Sequence, residues 1–325
     1  MTKEDFRIVY MGTPDFAVES LRRLVDGGYQ VVGVVTMPDK PMGRHGSVLQ
    51  SSPVKKYALE HGLKVMQPVK LKDEAFLEEL AALDAHLQIV VAFRMLPEVV
   101  WNMPKLGTFN LHASLLPQYR GAAPINWAVI NGEKETGVTT FFLQHEIDTG
   151  EIIQQVRIPI SDNDNAGTVH DRLMTLGGNL VVNTVDAIIN GTVKTVPQEI
   201  CMRHDTLLKP APKIFRDTCR IDWNHKNLQQ LHDFVRGLSP YPAAWTIFED
   251  GLGKKMEVKI FETRTERAAH HLPIGSLLTD GKSCLKVAVD GGFLHVLTLQ
   301  LAGKKQMDIR DFLRGRTVGE KASFC

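Results

Sequence analysis

Apolar and polar positions alternate along the first part of the chain in a strand–helix–strand rhythm. Short apolar runs at Arg7-Ile8-Val9-Tyr10-Met11, Val31-Val32-Gly33-Val34-Val35 and Gln88-Ile89-Val90-Val91-Ala92-Phe93 suit strands covered on both faces. Between them, Phe16 to Val25, Ser52 to Glu60 and Asp73 to Leu83 read as helices. In the last of these, Asp73 suits the N-cap and Phe76, Leu77, Leu80 and Leu83 recur at helical spacing. This repetition predicts an α/β fold with a doubly wound, mostly parallel sheet. Ligands of such sheets bind at the carboxyl ends of the strands. Gly12-Thr13-Pro14, after the first strand, matches neither glycine-rich phosphate-binding pattern and reads as a tight turn into a helix.

The pattern changes at Lys209-Pro210-Ala211-Pro212-Lys213, whose prolines favour extended backbone and suit a linker. The expected division is therefore 1–208 and 209–325. Beyond the linker comes one helical stretch, Leu228 to Val235. Short strand-like runs follow: 244–248, 256–261, 285–289 and 293–299, separated by turns such as Asp280-Gly281 and Asp290-Gly291-Gly292. That pattern predicts a smaller, OB-like β-barrel. Charge divides at the same point. Residues 1–208 carry 19 Lys and Arg against 24 Asp and Glu, whereas 209–325 carry 19 against 13, so a chain of net charge +1 has a basic C-terminal part. A basic barrel suits a polyanionic partner.

Composition narrows the class further. With 43% hydrophobic and 23% charged residues, the chain has a globular balance. No apolar segment suits a signal peptide or a membrane span, which predicts a cytoplasmic protein with no membrane contact. The four cysteines, Cys201, Cys219, Cys284 and Cys325, are scattered, so reduced thiols are expected and a metal site is not.

Candidate chemistry concentrates between Gly107 and Asn131. Phe109 to His112 reads as a short strand, on which Asn110 and His112 share one face while Leu111 points to the other layer. An amide and an imidazole side by side can stabilise a developing oxyanion, and the imidazole can relay a proton. Pro117 and Gly121 then hold an irregular loop, and Pro124 suits a helix start. Asp148, in Asp148-Thr149-Gly150, follows the strand-like Val138 to Leu143, and a carboxylate placed on His112 would fix its tautomer. Asp-Thr-Gly is also half of an aspartic protease site, but that chemistry needs two such carboxylates and only one occurs. His145-Glu146 and His270-His271 lack ligand spacing and read as surface residues. The loop Asp39-Lys40-Pro41-Met42-Gly43-Arg44-His45-Gly46-Ser47 follows a strand end and is basic enough to meet phosphates.

These segments together resemble the folate-dependent formyltransferase family over essentially the whole chain, and most of all its branch that acts on initiator tRNA. The resemblance rests on Met11-Gly12-Thr13-Pro14-Asp15-Phe16-Ala17, on Asp39 to Arg44, and on Ser52-Pro53-Val54-Lys55. It also rests on Asn110-x-His112-x-Ser114-Leu115-Leu116-Pro117 with Tyr119 to Pro124, on Asp148-Thr149-Gly150, and on Ile221-Asp222-Trp223 and Arg236-Gly237-Leu238 with Pro242 and Trp245. It implies formyl transfer from 10-formyltetrahydrofolate, without a metal, to the α-amine of methionyl initiator tRNA in translation initiation, by a chain acting as a monomer. Asn110, His112 and Asp148 would be catalytic, and Ser114, Leu115, Leu116 and Pro117 would contact the folate. Lys40 and Arg44 would grip the tRNA acceptor end, with 1–208 the catalytic, folate-binding domain and 209–325 the tRNA-binding domain. One departure stands out: Phe93-Arg94-Met95-Leu96-Pro97 lacks the glycine that the family usually places after an aromatic residue in the third strand region. A small-amine substrate, such as a glycinamide ribonucleotide or an amino-sugar nucleotide, is the rival reading. A catalytically silent RNA-binding protein is the reading from another class.

Overall fold

A computed structural model describes residues 2–42, 48–201 and 207–325. Two compact units make it up. One comprises Met1–Gly121, Thr136–Ile158 and His170–Pro210, and the other Ala122–Glu135, Pro159–Val169 and Ala211–Cys325. The second unit thus takes in two stretches that precede the proline-rich linker.

In chain order the elements up to the linker are β1 (Ile8–Gly12), α1 (Asp15–Asp26), β2 (Val31–Val35), β3 (Lys40–Met42), β4 (Val48–Gln50), α2 (Pro53–Glu60), β5 (Val65–Met66), α3 (Glu74–Ala81), β6 (Leu87–Val91), α4 (Glu98–Trp101), β7 (Thr108–His112), α5 (Pro124–Ile130), β8 (Glu135–Phe142), β9 (Ile152–Pro159) and α6 (Ala166–Ile189). The main sheet runs β5-β2-β1-β6-β7-β8-β9. Its β2–β5, β1–β2, β1–β6 and β6–β7 pairings are parallel and β7–β8 is antiparallel, which is the doubly wound, mostly parallel sheet that the pattern predicts.

Local signals explain the element starts. The Ser52 hydroxyl accepts from Lys55 N–H at 3.0 Å and caps α2, and the Asp73 carboxylate accepts from Ala75 N–H at 3.0 Å and caps α3. All five residues of β1 are buried. Tyr10 tolerates this because its hydroxyl donates to Ala17 O (2.6 Å) and meets Ser20 Oγ (2.8 Å), and burial pushes its phenol well above the usual range. Val9, Met11, Val35, Phe76, Leu80 and Val90 form one core layer. Strand order reverses between β1 and β6, so the carboxyl ends of β1, β6 and β7 form the edge where such sheets bind ligands.

After the linker come α7 (Leu228–Leu238), β10 (Ala244–Glu249), β11 (Lys255–Arg267), β12 (Leu277–Thr279), β13 (Leu285–Val289), β14 (Gly292–Leu301), β15 (Met307–Asp308), α8 (Ile309–Arg314) and β16 (Ser323–Phe324). The antiparallel sheet runs β12-β13-β14-β11-β10-β16. Leu277 N–H to Ala322 O (3.0 Å) and Phe324 N–H to Gly275 O (2.9 Å) join its two edges into a barrel. Inward residues such as Leu285, Val287, Leu294, Val296 and Phe248 fill it. The helix α7 starts on a capping box between Asn227 and Gln230. It carries a buried ion pair, Arg236 Nε to Asp233 Oδ1 at 2.6 Å, whose guanidinium also donates to Ser161 O and Asp164 O. Those two carbonyls, and the Asn126 amide that donates to Gly237 O at 2.8 Å, explain why 122–135 and 159–169 belong to this unit.

Candidate active site

Strand alternation sets the first two residues of the site. On β7, Phe109 and Leu111 are buried, and Leu111 meets α6 where Gly177 leaves room: a Cβ there would lie 2.7 Å from Leu111 Cδ2. Asn110 and His112 therefore face the other way, opposite Phe141 and Thr139 of β8. Among the described residues the Asn110 carboxamide makes no hydrogen bond.

His112 is held by backbone. Its Nε2 lies 2.8 Å from Tyr119 O, and a carbonyl can only accept, so Nε2 carries the proton and Nδ1 is the bare nitrogen of the neutral ring. Nδ1 looks toward Asp148 Oδ2 at 3.9 Å, within ion-pair range yet longer than a hydrogen bond. Both side chains are largely buried, at 6% and 13% exposure.

Asp148 reaches that position from a left-handed residue (φ 55°), a conformation that Asp tolerates better than most. Its Oδ2 accepts from Gly121 N–H at 3.0 Å. Gln198, fully buried, fixes the loop: its amide nitrogen donates to Asp148 O and Gly150 O, both at 2.8 Å, while its oxygen accepts from Arg120 Nε (3.1 Å) and Nη2 (2.6 Å). Gly150 cannot be replaced, since a Cβ would lie 1.6 Å from Phe142 O.

The Ser114 to Pro117 run is tied inward. Ser114 Oγ donates to Gln118 O (2.7 Å), Thr139 Oγ1 donates to Ser114 O (2.6 Å), and Gln155 Nε2 donates to Leu116 O (3.1 Å). Ser114, Leu116 and Pro117 are buried, so Leu115 is the member of the run whose side chain keeps surface.

Comparison with known proteins decides the family. A model described as formyl transferase matches residues 6–185, and one described as formyl transferase, C-terminal domain, matches residues 213–317. The chain belongs to the formyl transferase family. A methionyl-tRNA formyltransferase of Phocaeicola vulgatus is 70% identical over 315 residues, 97% of each chain. Another, of Parabacteroides distasonis, is 67% identical with the same coverage. Among solved structures, an N-formyltransferase from Helicobacter canadensis in complex with folinic acid and dTDP-3-aminofucose aligns with a TM-score of 0.60 at 21% identity, covering 90% of this chain and 98% of that one. HypX from Aquifex aeolicus in complex with tetrahydrofolic acid aligns at 0.61 and 17%, covering 98% and 50%. At such identities the likeness is one of fold.

Just past β6 this formyl transferase has Arg94 after the aromatic Phe93. Its guanidinium donates to Val69 O (2.9 Å) and to Pro68 O, while Nε is buried without a partner. A cleft of ≈ 460 Å³, with Val69, Lys70, Arg94, Met95 and Pro97 in its walls, opens beside it, just beyond the carboxyl end of β6. Lys40 is exposed on β3, whereas Arg44 lies outside the described residues. Lys55 is not free to meet phosphates: its ammonium sits 2.6 Å from Asp39 and, with the Gln67 amide, holds that carboxyl below the usual range.

Sequence reasoning missed Gln198, Thr139 and Gln155. The polar Thr139 and Thr140 inside an apolar run were a usable signal, whereas Gln198, fifty residues from the loop it holds, gave none. His145 is exposed, as read, beside Glu98. His270 corrects its surface reading: half-buried against Phe293, its Nε2 bridges Val289 O and Gly292 O, because a turn leaves both carbonyls needing a donor. Among the described residues no group of three or more His, Cys, Asp or Glu could hold a metal ion, and no helix is long and apolar enough to cross a membrane.

Proposed function

We propose that this formyl transferase moves the formyl group of 10-formyltetrahydrofolate to the α-amine of methionyl initiator tRNA, giving N-formylmethionyl-tRNA in the cytoplasm for translation initiation. The observation that carries the reading is the 3.9 Å separation between His112 Nδ1 and Asp148 Oδ2, with Nε2 already committed to Tyr119 O. One ring nitrogen is anchored; the other faces a carboxylate with no hydrogen bond between them. That leaves Nδ1 as the place to hold or move a proton.

10-Formyltetrahydrofolate supplies the formyl carbon and leaves as tetrahydrofolate. The residues present fit such a substrate: among the described residues the Asn110 carboxamide makes no hydrogen bond, so its donors are uncommitted. When the amine attacks the formyl carbon, the carbonyl oxygen gains negative charge; the Asn110 amide donates to it, and His112 Nδ1 can do so only once it has taken up a proton. The amine must also lose a proton. Nδ1 of His112 accepts it and passes it to the departing folate nitrogen as that bond to the formyl carbon breaks, and Asp148, held by Gly121 N–H and Gln198, balances the imidazolium formed in between. Leu115 and the backbone of Ser114 to Pro117 border the folate, and a monomer suffices, since every group invoked comes from one chain.

The tRNA substrate is favoured over a small amine by the names of the relatives at 70% and 67% identity and by the basic 209–325 region. The deciding assay offers purified protein a labelled formyl donor with charged initiator tRNA, charged elongator tRNA, glycinamide ribonucleotide and an amino-sugar nucleotide. Label on the initiator alone supports the reading. Label on either small amine with none on tRNA overturns it, and tRNA binding without any formyl consumption favours a silent RNA-binding protein.

A further inference from the structure

The second unit carries a cluster of reactive groups that formyl transfer does not use. Register places it on the barrel's outer face. Leu285, Val287, Leu294 and Val296 point inward, so their neighbours Cys284, Lys286 and His295 point outward. His295 pairs with Lys286 on one side and with Arg264 of β11 on the other, and Glu266 lies two residues beyond Arg264 on the same face.

The contacts run in the order nucleophile, base, carboxylate. His295 Nε2 lies 2.5 Å from Glu266 Oε2. A carboxylate accepts, so the ring proton sits on Nε2 and Nδ1 carries a lone pair, which Arg264 Nη2 also approaches at 3.4 Å. Nδ1 lies 3.6 Å from Cys284 Sγ, within the reach of a hydrogen bond to sulfur. Glu266 is itself fixed by Lys286 Nζ at 2.9 Å. The thiol is fixed from the backbone: Asp280 accepts from the N–H groups of Lys282, Ser283 and Cys284, and Thr279 Oγ1 donates to Cys284 O at 2.7 Å. His295 is buried while Cys284 is half-exposed, so the base is shielded and the sulfur is reachable.

We infer that Cys284 is a modification site for small disulfides, with His295 as the base that takes the thiol proton and Glu266 as the group that orients that base. The step balances simply. The Sγ–H proton passes to Nδ1, the sulfur attacks one sulfur of the disulfide RSSR, and the S–S bond breaks. The departing thiolate leaves as RSH with the proton from Nδ1, and Cys284 is left as a mixed disulfide.

Other groups around the thiol bear on why a base is needed. Burial pushes the thiol above its ordinary range, as do Asp280 and Glu266, while Lys286 and Arg264 pull it down. Such a thiol keeps its proton near neutral pH unless an adjacent acceptor removes it, and Nδ1 is that acceptor. Exposure alone would rank the thiols differently, since Cys201 and Cys325 are more exposed and Cys219 is buried.

The test treats the full chain with a limiting amount of dithiobis(2-nitrobenzoate) and follows each cysteine by peptide mass. Cys284 is expected to react at least about tenfold faster than Cys325 in the native chain. In His295→Gln that advantage disappears, with the rates of Cys201 and Cys325 unchanged. Glu266→Gln, on a more exposed side chain, slows Cys284 by a smaller factor and serves if the histidine variant does not fold. A native Cys284 no faster than Cys325 overturns the proposal, and so does a Cys284 rate that neither substitution lowers.

Discussion

The two units each hold an imidazole beside a carboxylate, and the two pairs are built differently. His295 and Glu266 stand on neighbouring strands of one sheet, and register brings them into direct contact at 2.5 Å. His112 ends a strand, Asp148 comes from a left-handed loop residue, and backbone groups hold both, so the pair stops at 3.9 Å. A sheet face closes such a pair. A strand end with irregular loops can hold it slightly open, which suits an imidazole nitrogen that must take up and release a proton.

The largest expected effect tests the open pair. If His112 Nδ1 moves the proton and Asp148 balances it, His112→Ala and Asp148→Ala each lower kcat by about 10²- to 10³-fold with little change in KM. Steady-state kinetics with initiator tRNA checks this. Near-normal turnover in either variant would remove the reading of the open pair as catalytic.

Next in size is the loop that keeps the pair open. Gln198→Ala removes four hydrogen bonds and leaves the Asp148 and Gly150 carbonyls and the Arg120 guanidinium without their buried partner. The expected result is a fall in kcat of about tenfold with a stability loss of about 1–3 kcal/mol. Kinetics and denaturant unfolding separate the two. A variant that loses stability but keeps full kcat would show that the 3.9 Å spacing does not depend on this anchor.

Smaller still is the effect of filling the separation. Asp148→Glu adds one methylene and can bring the carboxylate onto Nδ1, reproducing the closed pair of the barrel. Turnover should fall by less than in Asp148→Ala, by about a few-fold to tenfold. A variant as slow as Asp148→Ala would mean that spacing, and not charge, governs the step.

How much of this was legible in the chain follows from the range of each interaction. Strands β1, β2 and β6, the cap Asp73, and the shared face of Asn110 and His112 depend on neighbours a few residues away, and their patterns could be read directly. α6 could not, because Gly177-Gly178 and a run of β-branched residues argue against a helix; packing against Leu111, which needs Gly177, overrides that preference. Gln198 depends on a partner fifty residues away and the Lys55–Asp39 pair on one sixteen away, so neither leaves a local trace. The stretches 122–135 and 159–169 join the second unit through contacts with α7 that no composition shift announces.

A third imidazole completes the comparison and gives the smallest effect. His232 on α7 has a hydroxyl, Thr263 Oγ1 at 2.9 Å, where the other two have a carboxylate. Burial is the chief influence on it and lowers its pKa below 6.5, with Arg236 acting in the same direction and Asp233 and Asp162 opposing. The unfolded chain therefore takes up a proton near pH 6.5 before the folded unit does. Between that value and the lower folded one, the unfolded state binds more protons, so stability falls as pH falls. Hydrogen exchange of the α7 amides should speed up, beyond the intrinsic pH effect, as pH falls through 6.5. His232→Gln should flatten that dependence while leaving exchange above that pH little changed. An unaltered slope in the variant would show that the ring does not set the pH response, and His232 would then be a packing element held to Thr263.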